Sequence, residues 1–210
     1  MKYIIMCGGS YPSWGTERQL TKFNDETLVA RTIRLLRDAG AEDINISSLD
    51  PRFEEFGVPV LKHDNDYSAR PEPRGSWVMG FYPTDEPACY LMGDVLFSPK
   101  AIKTIVELEV KSVMFFASAP PFARGQYIKP YAEPFAFKVM DQKRFRAAIE
   151  FVKANENTGI FNRRPIAWEL WQVINGEDVK TINFNNYIAI NDYTCDIDSP
   201  EDVAKIAKLF

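Results

Sequence analysis

The sequence predicts an α/β fold with one mixed, mostly parallel sheet that is flanked by helices. Apolar segments with strand character alternate with amphipathic helical segments along the first half of the chain, which is typical of a parallel sheet covered on both faces. The first strand, over residues 3–7, is apolar throughout, as expected of a strand buried on both sides. Helix-capping residues follow the apolar runs at several points, so the strands and helices can be placed in order.

Periodicity and capping residues locate the elements of the first half. A helix over residues 28–39 has an apolar face among arginines and ends at Gly40. Ser98 and Pro99 are an N-cap and a first-turn residue, and they begin a helix that runs to about residue 109. The other predicted elements are strands at 43–48, 58–61, 88–92 and 112–118, a short helical segment at 77–82 and a polar loop at 63–75.

The second half is richer in aromatic residues and proline, and residues 126–139 have alternating apolar positions like those of a strand. A final helix is predicted from Ser199, with proline at its first position and acidic residues in its first turn. No repeat or linker interrupts the chain, so a single domain over 1–210 is predicted. The remaining elements are helices at 141–153 and 166–175 and strands at 188–190 and 193–197.

Composition excludes several classes of protein. The chain has 210 residues, of which 46% are hydrophobic and 26% charged, which is enough for a folded domain with a sizeable core. No apolar run approaches the roughly 18–20 residues that a membrane helix needs, so no membrane association is expected. The net charge of −4 argues against a nucleic-acid partner. Cys7, Cys89 and Cys195 lie in apolar runs and are interpreted as reduced core thiols of a cytoplasmic protein.

Carboxylates follow two of the predicted strands. Asp94 comes after the strand at 88–92 and a glycine, and Asp196 and Asp198 lie at the end of the strand at 193–197. Two carboxylates at neighbouring strand ends can hold one Mg²⁺ against a triphosphate. Each acidic residue could instead simply cap the helix that follows it. The presence of both segments beside a glycine-rich first turn favours a nucleotide-handling enzyme.

The glycine-rich turn is Gly8 and Gly9, directly after the first strand. Residues without a Cβ atom let the backbone approach a base, a ribose or a phosphate closely, although an ordinary tight turn has the same composition. The turn fits neither the dinucleotide-binding pattern nor the P-loop pattern. Arg18 and Lys22, which precede the first helix, are candidates to pair with phosphates, and a solvated basic face is the alternative.

Segments in three parts of the chain, its start, its middle and its end, resemble one enzyme family. Residues 6–9, the run from Arg18 through 24–28 to Arg31, Gly93-Asp94 and residues 196–202 resemble, in order and spacing, the nucleotidyltransferases of the GT-A type. These are the sugar-phosphate nucleotidylyltransferases, and especially the branch of CTP:phosphocholine cytidylyltransferases. The resemblance implies a Rossmann-like domain of the nucleotide-diphospho-sugar transferase type. It also implies a nucleotide-binding half at about 1–118, and an acceptor-binding half with the last metal strand and helix at about 119–210.

The resemblance also implies a reaction. A nucleoside monophosphate, with CMP preferred, would move from a nucleoside triphosphate, with CTP preferred, to a small phosphorylated acceptor, and pyrophosphate would be released. The acceptor could be a sugar phosphate, an alditol phosphate or phosphocholine. Mg²⁺ is the implied cofactor, held by Asp94 and Asp198 with Asp196 as a neighbour. Arg18 falls where the family has lysine, and its guanidinium keeps the charge but is planar and longer; Lys22 could reach the phosphates instead. The expected nucleotide contacts are Cys7, Gly8, Gly9, Ser10, Gly75 and Ser76.

Cations and aromatic residues in the second half are candidate contacts for the acceptor. A phosphorylated acceptor needs cations, and an aromatic box would suit a quaternary ammonium group. However, Trp168 and Trp171 are three residues apart on a predicted helix, which favours packing in the core, and a basic pair before a helix is often solvated. The predicted acceptor-binding residues are Lys129, Glu133, Arg163, Arg164, Trp168 and Glu169.

Two other functions remain open from the sequence. A glycosyltransferase on the same scaffold would use a nucleotide sugar, but it usually has an Asp-x-Asp motif on the central strand. Here the central strand lacks the paired acid, and the pattern at 196–198 lies at the wrong end of the chain. A non-catalytic nucleotide-binding homologue is suggested by Arg18 at the lysine position. A hydrolase would have to use His63, the only histidine, and no Gly-x-Ser-x-Gly motif is present.

Overall fold

The strands and helices of the computed structural model lie within residues 1–8, 18–62, 76–120 and 132–207, which are the residues that the structure describes. The strands, in chain order, are β1 (Lys2–Met6), β2 (Lys22–Phe23), β3 (Glu26–Thr27), β4 (Ile44–Ser47), β5 (Val60–Leu61), β6 (Ala88–Met92), β7 (Val95–Leu96), β8 (Val113–Ser118), β9 (Glu133–Val139), β10 (Ile188–Ala189) and β11 (Cys195–Asp196). The helices are α1 (Leu28–Asp38), α2 (Pro99–Glu107), α3 (Gln142–Asn155), α4 (Ala167–Asn175) and α5 (Pro200–Ile206). Short 3₁₀ segments span Arg18–Leu20, Pro51–Phe56 and Trp77–Gly80.

The main sheet has seven strands in the order β10-β8-β9-β6-β1-β4-β5. Parallel pairing joins β1 to both β4 and β6, β4 to β5, and β8 to β10. Strand β9 lies between β6 and β8 and runs antiparallel to both. The predicted mixed, mostly parallel sheet is therefore confirmed, and β9 is the strand that makes it mixed.

The termini of the elements follow the capping chemistry in the sequence. The side chain of Ser98 accepts a hydrogen bond from the backbone N–H of Ala101 at the start of α2. Ser199 and Asp202 form a capping box at the start of α5. The helices lie within two residues of their predicted bounds. The predicted helical segment at 77–82 is a short 3₁₀ turn, because i→i+3 bonding ends after a single turn there.

Four short features were not predicted, and the 3₁₀ segment Arg18–Leu20 is one of them. The 3₁₀ segment Pro51–Phe56 starts at Asp50, whose side chain accepts from the N–H of Arg52. The hairpin β2–β3 turns through Asn24 and Asp25, whose φ angles of +49° and +64° suit these two residue types. Strand β7 has only two residues. Segments this short have no detectable periodicity, so hydrophobic patterning does not reveal them.

A second, smaller sheet and its own apolar cluster lie beside the main sheet. Strand β7 pairs antiparallel with β11. The cluster under this pair consists of Phe23, Leu28, Leu96, Cys195, Ile197 and Ile206. It packs the hairpin β2–β3, β7, β11 and α5 together, so the C-terminal segment is held against the middle of the chain. Among the described residues, no helix is both long and apolar enough to span a bilayer.

Candidate functional site

The site begins where β1 and β6 end side by side. The N–H of Gly93 donates to the carbonyl oxygen of Met6 over 3.1 Å. A Cβ atom on residue 93 would lie 2.3 Å from that oxygen and 2.9 Å from the Sγ atom of Cys7. Only glycine fits this close approach, and it places Asp94 directly beside the end of β1.

The small sheet brings the C-terminal carboxylates to the same place. Asp196 is the register partner of Val95, and the N–H of Ile197 donates to the carbonyl oxygen of Asp94 over 2.9 Å. Asp198 follows directly, and its own N–H donates to a carboxylate oxygen of Asp202 over 3.0 Å. Backbone pairing on one side and the capping box of α5 on the other therefore fix the position of Asp198 relative to Asp94.

A guanidinium group connects the two carboxylates. The Nη1 atom of Arg18 lies 3.5 Å from an oxygen of Asp94 and forms a shorter ion pair with an oxygen of Asp198. The Arg18 side chain is only 12% exposed, whereas those of Asp94 and Asp198 are 29% and 34% exposed. The mid-chain and C-terminal acids therefore converge on a single cationic nitrogen, whereas the sequence led us to expect a divalent cation between them and Arg18 at the phosphates.

The carboxyl group of Asp94 is harder to ionise than usual in spite of this arginine. The pKa of Asp94 is raised to about 6, mainly by burial and then by the negative charges of Asp196 and, to a smaller extent, Asp198, whereas Arg18 acts in the opposite direction. Because burial and neighbouring negative charges disfavour the ionised form of Asp94, a second cation bound beside it would stabilise that form.

The donor chemistry fits a divalent cation. Carboxylate oxygens are the ligands that Mg²⁺ prefers, and oxygens from Asp94 and Asp198 already meet at one positive charge. Within the described part of the chain, no three histidine, cysteine or acidic side chains are grouped as a ready metal-binding set. Asp94 and Asp198 are the pair that the ion pairs bring together, and the part of Asp196 in holding a cation stays a prediction.

Sequence reasoning missed a network that connects the two acidic segments. The hydroxyl of Ser98 donates to Asp192 over 2.6 Å, and the N–H of Ser98 donates to the hydroxyl of Thr194 over 3.0 Å. Asp192 also accepts from the N–H of Thr194 over 2.8 Å. Ser98 was predicted as a helix cap, but nothing in the sequence pairs it with residues more than 90 positions away.

The predicted nucleotide contacts are described only in part. Cys7 is buried at the end of β1, its N–H donates to the carbonyl of Ser47, and Gly8 follows it. Ser76 precedes the 3₁₀ turn Trp77–Gly80. Gly9, Ser10 and Gly75 lie outside the described residues, as do His63 and the predicted loop around it.

The two predicted phosphate-binding cations differ in position. Arg18 lies between the carboxylates, as described above. Lys22 is exposed on β2, where its register partner is Thr27. The structure thus brings Arg18, rather than Lys22, into contact with Asp94 and Asp198.

Trp168 belongs to the core. It is 1% exposed and packs edge-to-face on Phe115, Phe184 and Tyr187, with ring centroids 4.9–5.2 Å away. This is the core packing that its helical spacing favoured, and it leaves the indole little contact with solvent. Trp168 could contact an acceptor only if the side chains packed around it moved.

The other predicted acceptor residues have structural contacts. Glu169 is 1% exposed and accepts hydrogen bonds from Arg163 over 2.6 Å and from the N–H of Ile166 over 3.0 Å, which fixes the start of α4. Arg164 pairs with Glu156 at 3.5 Å. Glu133 is buried at the start of β9. Lys129 lies outside the described residues. Their role toward an acceptor stays a prediction.

Comparison with known proteins gives a clear result for the fold. No protein-family model and no curated protein sequence matches the chain. Among solved structures, CTP:phosphocholine cytidylyltransferase from Streptococcus pneumoniae aligns over 99% of this chain and 98% of its own, with a TM-score of 0.54 and 14% identity. A candidate glucose-1-phosphate thymidylyltransferase from Bacillus anthracis aligns over 100% and 94%, with a TM-score of 0.58 and 14% identity.

A third structure, the inositol-1-phosphate CTP transferase from T. maritima, aligns over 99% of this chain and 94% of its own, with a TM-score of 0.54 and 13% identity. The alignments extend over nearly the whole of both chains. The chain therefore has the fold of the nucleotidyltransferases, the family that its sequence resembles.

Proposed function

We propose that the protein is a nucleotidyltransferase that moves a nucleoside monophosphate from a nucleoside triphosphate to a small phosphorylated acceptor and releases pyrophosphate. The observation that carries this proposal is the convergence of Asp94 and Asp198 on one cationic nitrogen beside the end of β1. The nucleotidyltransferase fold supports the class of reaction. Two of the similar structures described above are named as enzymes that use CTP, which supports CTP as the preferred donor.

The chemistry requires positioning and charge neutralisation more than a strong base. An acceptor phosphate is already ionised at neutral pH, so its oxygen can attack the α-phosphorus without losing a proton to the protein. Asp94 and Asp198 would hold Mg²⁺, which when bound neutralises charge on the phosphate oxygens. Arg18 would pair with the phosphates, where its guanidinium can form two parallel hydrogen bonds.

We also propose that the protein acts in a reducing compartment. Cys7, Cys89 and Cys195 are buried cysteine side chains. Thiols that remain reduced are typical of cytoplasmic proteins, which also have access to nucleoside triphosphates. We therefore place the reaction in the cytoplasm, with a sugar phosphate, an alditol phosphate or phosphocholine as the acceptor.

Pyrophosphate release tests the proposal. The protein is incubated with Mg²⁺, each of the four ribonucleoside triphosphates and a panel of phosphorylated acceptors. We expect release that depends on both the triphosphate and the acceptor, and that is fastest with CTP. The variant Asp94→Asn should lose turnover by about 100-fold or more, because a neutral amide is a weak ligand for a hard cation.

The matched control is Asp85→Asn, which removes a carboxylate that is 85% exposed and pairs with Arg146. It should keep the activity of the unmodified protein. Pyrophosphate release from Asp94→Asn at the unmodified rate, with the variant folded by circular dichroism, would reject the assigned role of Asp94.

The same assay separates the other two functions. A glycosyltransferase would release a nucleoside diphosphate from a nucleotide sugar and no pyrophosphate from a triphosphate. A non-catalytic nucleotide-binding protein is favoured by one observation, which is that Arg18 already pairs with both carboxylates. Nucleotide binding without turnover over the whole acceptor panel would support that function.

A further inference from the structure

Arg18 is held firmly at the carboxylates. It begins the 3₁₀ segment Arg18–Leu20, and its carbonyl oxygen accepts from the N–H of Thr21 over 2.9 Å. The next residue, Gln19, is 5% exposed and packs beside Gly93, where its Cγ atom would lie 3.0 Å from a Cβ. The backbone that carries Arg18 is therefore anchored on the strand end that carries Asp94.

The position of the guanidinium matters for any other cation. Its Nη1 atom contacts one oxygen of Asp94 and one oxygen of Asp198. A Mg²⁺ ion bound by the same oxygens would approach them to about 2.0–2.1 Å. A guanidinium nitrogen and a divalent cation placed between the same two oxygens would compete for them, because the two positive charges would lie close together and repel each other.

A nucleotide offers Arg18 an alternative partner. A triphosphate carries more negative charge than the carboxylate pair, and guanidinium groups bind phosphate oxygens through two parallel hydrogen bonds. The arginine side chain is long enough to change partners while its backbone stays anchored. Once it leaves the carboxylates, their mutual repulsion increases and their affinity for a divalent cation rises.

We propose, on the basis of the function proposed above, that Arg18 is a built-in counter-cation that occupies Asp94 and Asp198 until a nucleotide draws it away. A divalent cation then binds to this pair together with the nucleotide and only weakly before it. The position at which the family has lysine thus controls the order of binding in this chain, in addition to the contact with phosphate.

Direct measurement of Mn²⁺ binding tests the proposal without any turnover. Free Mn²⁺ is counted by electron paramagnetic resonance during titration of the unmodified protein and of Arg18→Gln, both without nucleotide. We expect Arg18→Gln to bind Mn²⁺ at least about tenfold more tightly, since an opposite charge at this distance changes the cation affinity of a carboxylate by about that factor or more. A non-hydrolysable CTP analogue should increase the Mn²⁺ affinity of the unmodified protein.

Two further variants make the result specific. Arg34→Gln removes another arginine that contacts two carboxylates, those of Glu26 and Asp38, on the exposed side of α1, and it should leave Mn²⁺ binding unchanged. The variant Arg18→Lys keeps the charge, so its Mn²⁺ affinity should lie closer to that of the unmodified protein. The thermal melting temperature of each variant, with and without Mn²⁺, shows whether it is folded and whether it binds the cation.

The outcomes separate this proposal from the proposed function. Equal Mn²⁺ affinity in the unmodified protein and Arg18→Gln, with binding that Asp94→Asn abolishes, overturns the role of Arg18 and leaves the function in place. No Mn²⁺ binding in either protein, even with the nucleotide analogue, overturns both. Tighter Mn²⁺ binding by Arg18→Gln than by the unmodified protein, with no such change in Arg34→Gln, supports Arg18 as the counter-cation.

Discussion

Gly93 shows how a single residue fixes the geometry of the site. Its missing side chain lets the end of β6 approach the end of β1, and the next residue is Asp94. The sequence indicated only that a glycine separates the strand from the acidic residue. It did not indicate what lies beside that glycine, because the carbonyl of Met6 lies 87 positions earlier in the chain.

We expect Gly93→Ala to lower the free energy of unfolding by about 2–4 kcal/mol, because the added methyl group would meet a backbone oxygen that cannot move without breaking the sheet. Gly80→Ala is the matched control, since its Cβ would meet only the flexible end of Met6 at 3.5 Å. Urea unfolding of the two variants measures the difference. Equal stability of Gly93→Ala and Gly80→Ala would contradict the close approach.

The raised pKa of Asp94 predicts that the stability of the fold depends on pH. Burial raises the pKa of Asp94 to about 6 in the folded protein, above its ordinary value, so the folded state holds a proton that the unfolded state releases. Ionisation of Asp94 therefore destabilises the fold as the pH rises from about 4 through about 6, and the cost is complete above that range.

The variant Asp94→Asn should remove this cost. Relative to the unmodified protein, the free energy of unfolding of the variant should increase with pH across that window. The gain should reach about 1 kcal/mol at pH 7, which is less than the full pKa shift would give, because part of the Asp94 side chain contacts solvent. Asp85→Asn is the reference for loss of a surface carboxylate. If the difference in the free energy of unfolding between Asp94→Asn and the unmodified protein is constant from pH 4 to 7, folding does not raise the pKa of Asp94.

At the scale of elements, two strands of two residues each position the acidic segments. Strands β7 and β11 form a short antiparallel pair, and the network of Ser98, Asp192 and Thr194 connects the same two regions at the next turn. Helix caps at Ser98 and Ser199 could be predicted, because capping depends on neighbouring residues. The pairing of β7 with β11 could not, because it depends on residues about 100 positions apart.

A buried lysine joins β9 to α2. The Nζ atom of Lys138 donates to the carbonyl oxygens of Ile105, Val106 and Leu108 over 2.7–3.0 Å, at the C-terminal end of α2 where carbonyl groups have no partner in the helix. We expect Lys138→Met to lower the free energy of unfolding by about 3 kcal/mol, since it leaves these carbonyls buried and without a charged donor.

Lys103→Met serves as the control for Lys138→Met. Lys103 lies on the exposed face of α2, where it pairs with Glu107 at 3.7 Å, and its replacement should change stability by less than about 0.5 kcal/mol. Thermal or urea unfolding compares the two. If both variants are equally stable, Lys138 does not hold the end of α2.

At the scale of the whole molecule, local patterns predicted most of the fold. Neighbouring residues were enough to predict the apolar strands β1, β6 and β8, which run parallel in the main sheet. They were also enough to predict the capped helices α1, α2 and α5. The insertion of β9 antiparallel between β6 and β8 could not be predicted, since strand order depends on packing between distant segments. Asp94 and Asp198 were predicted for the same site from their strand ends, but the bridge through Arg18 was not.

The central claim is that Asp94 and Asp198 hold a divalent cation beside a bound nucleotide. The most direct measurement is an anomalous difference map from crystals grown with Mn²⁺ and a non-hydrolysable CTP analogue. The account predicts one Mn²⁺ peak within coordination distance of both carboxylates and of the phosphates, with the Arg18 guanidinium turned toward the phosphates. A bound nucleotide with Mn²⁺ elsewhere, and Arg18 still paired with both carboxylates, would contradict it.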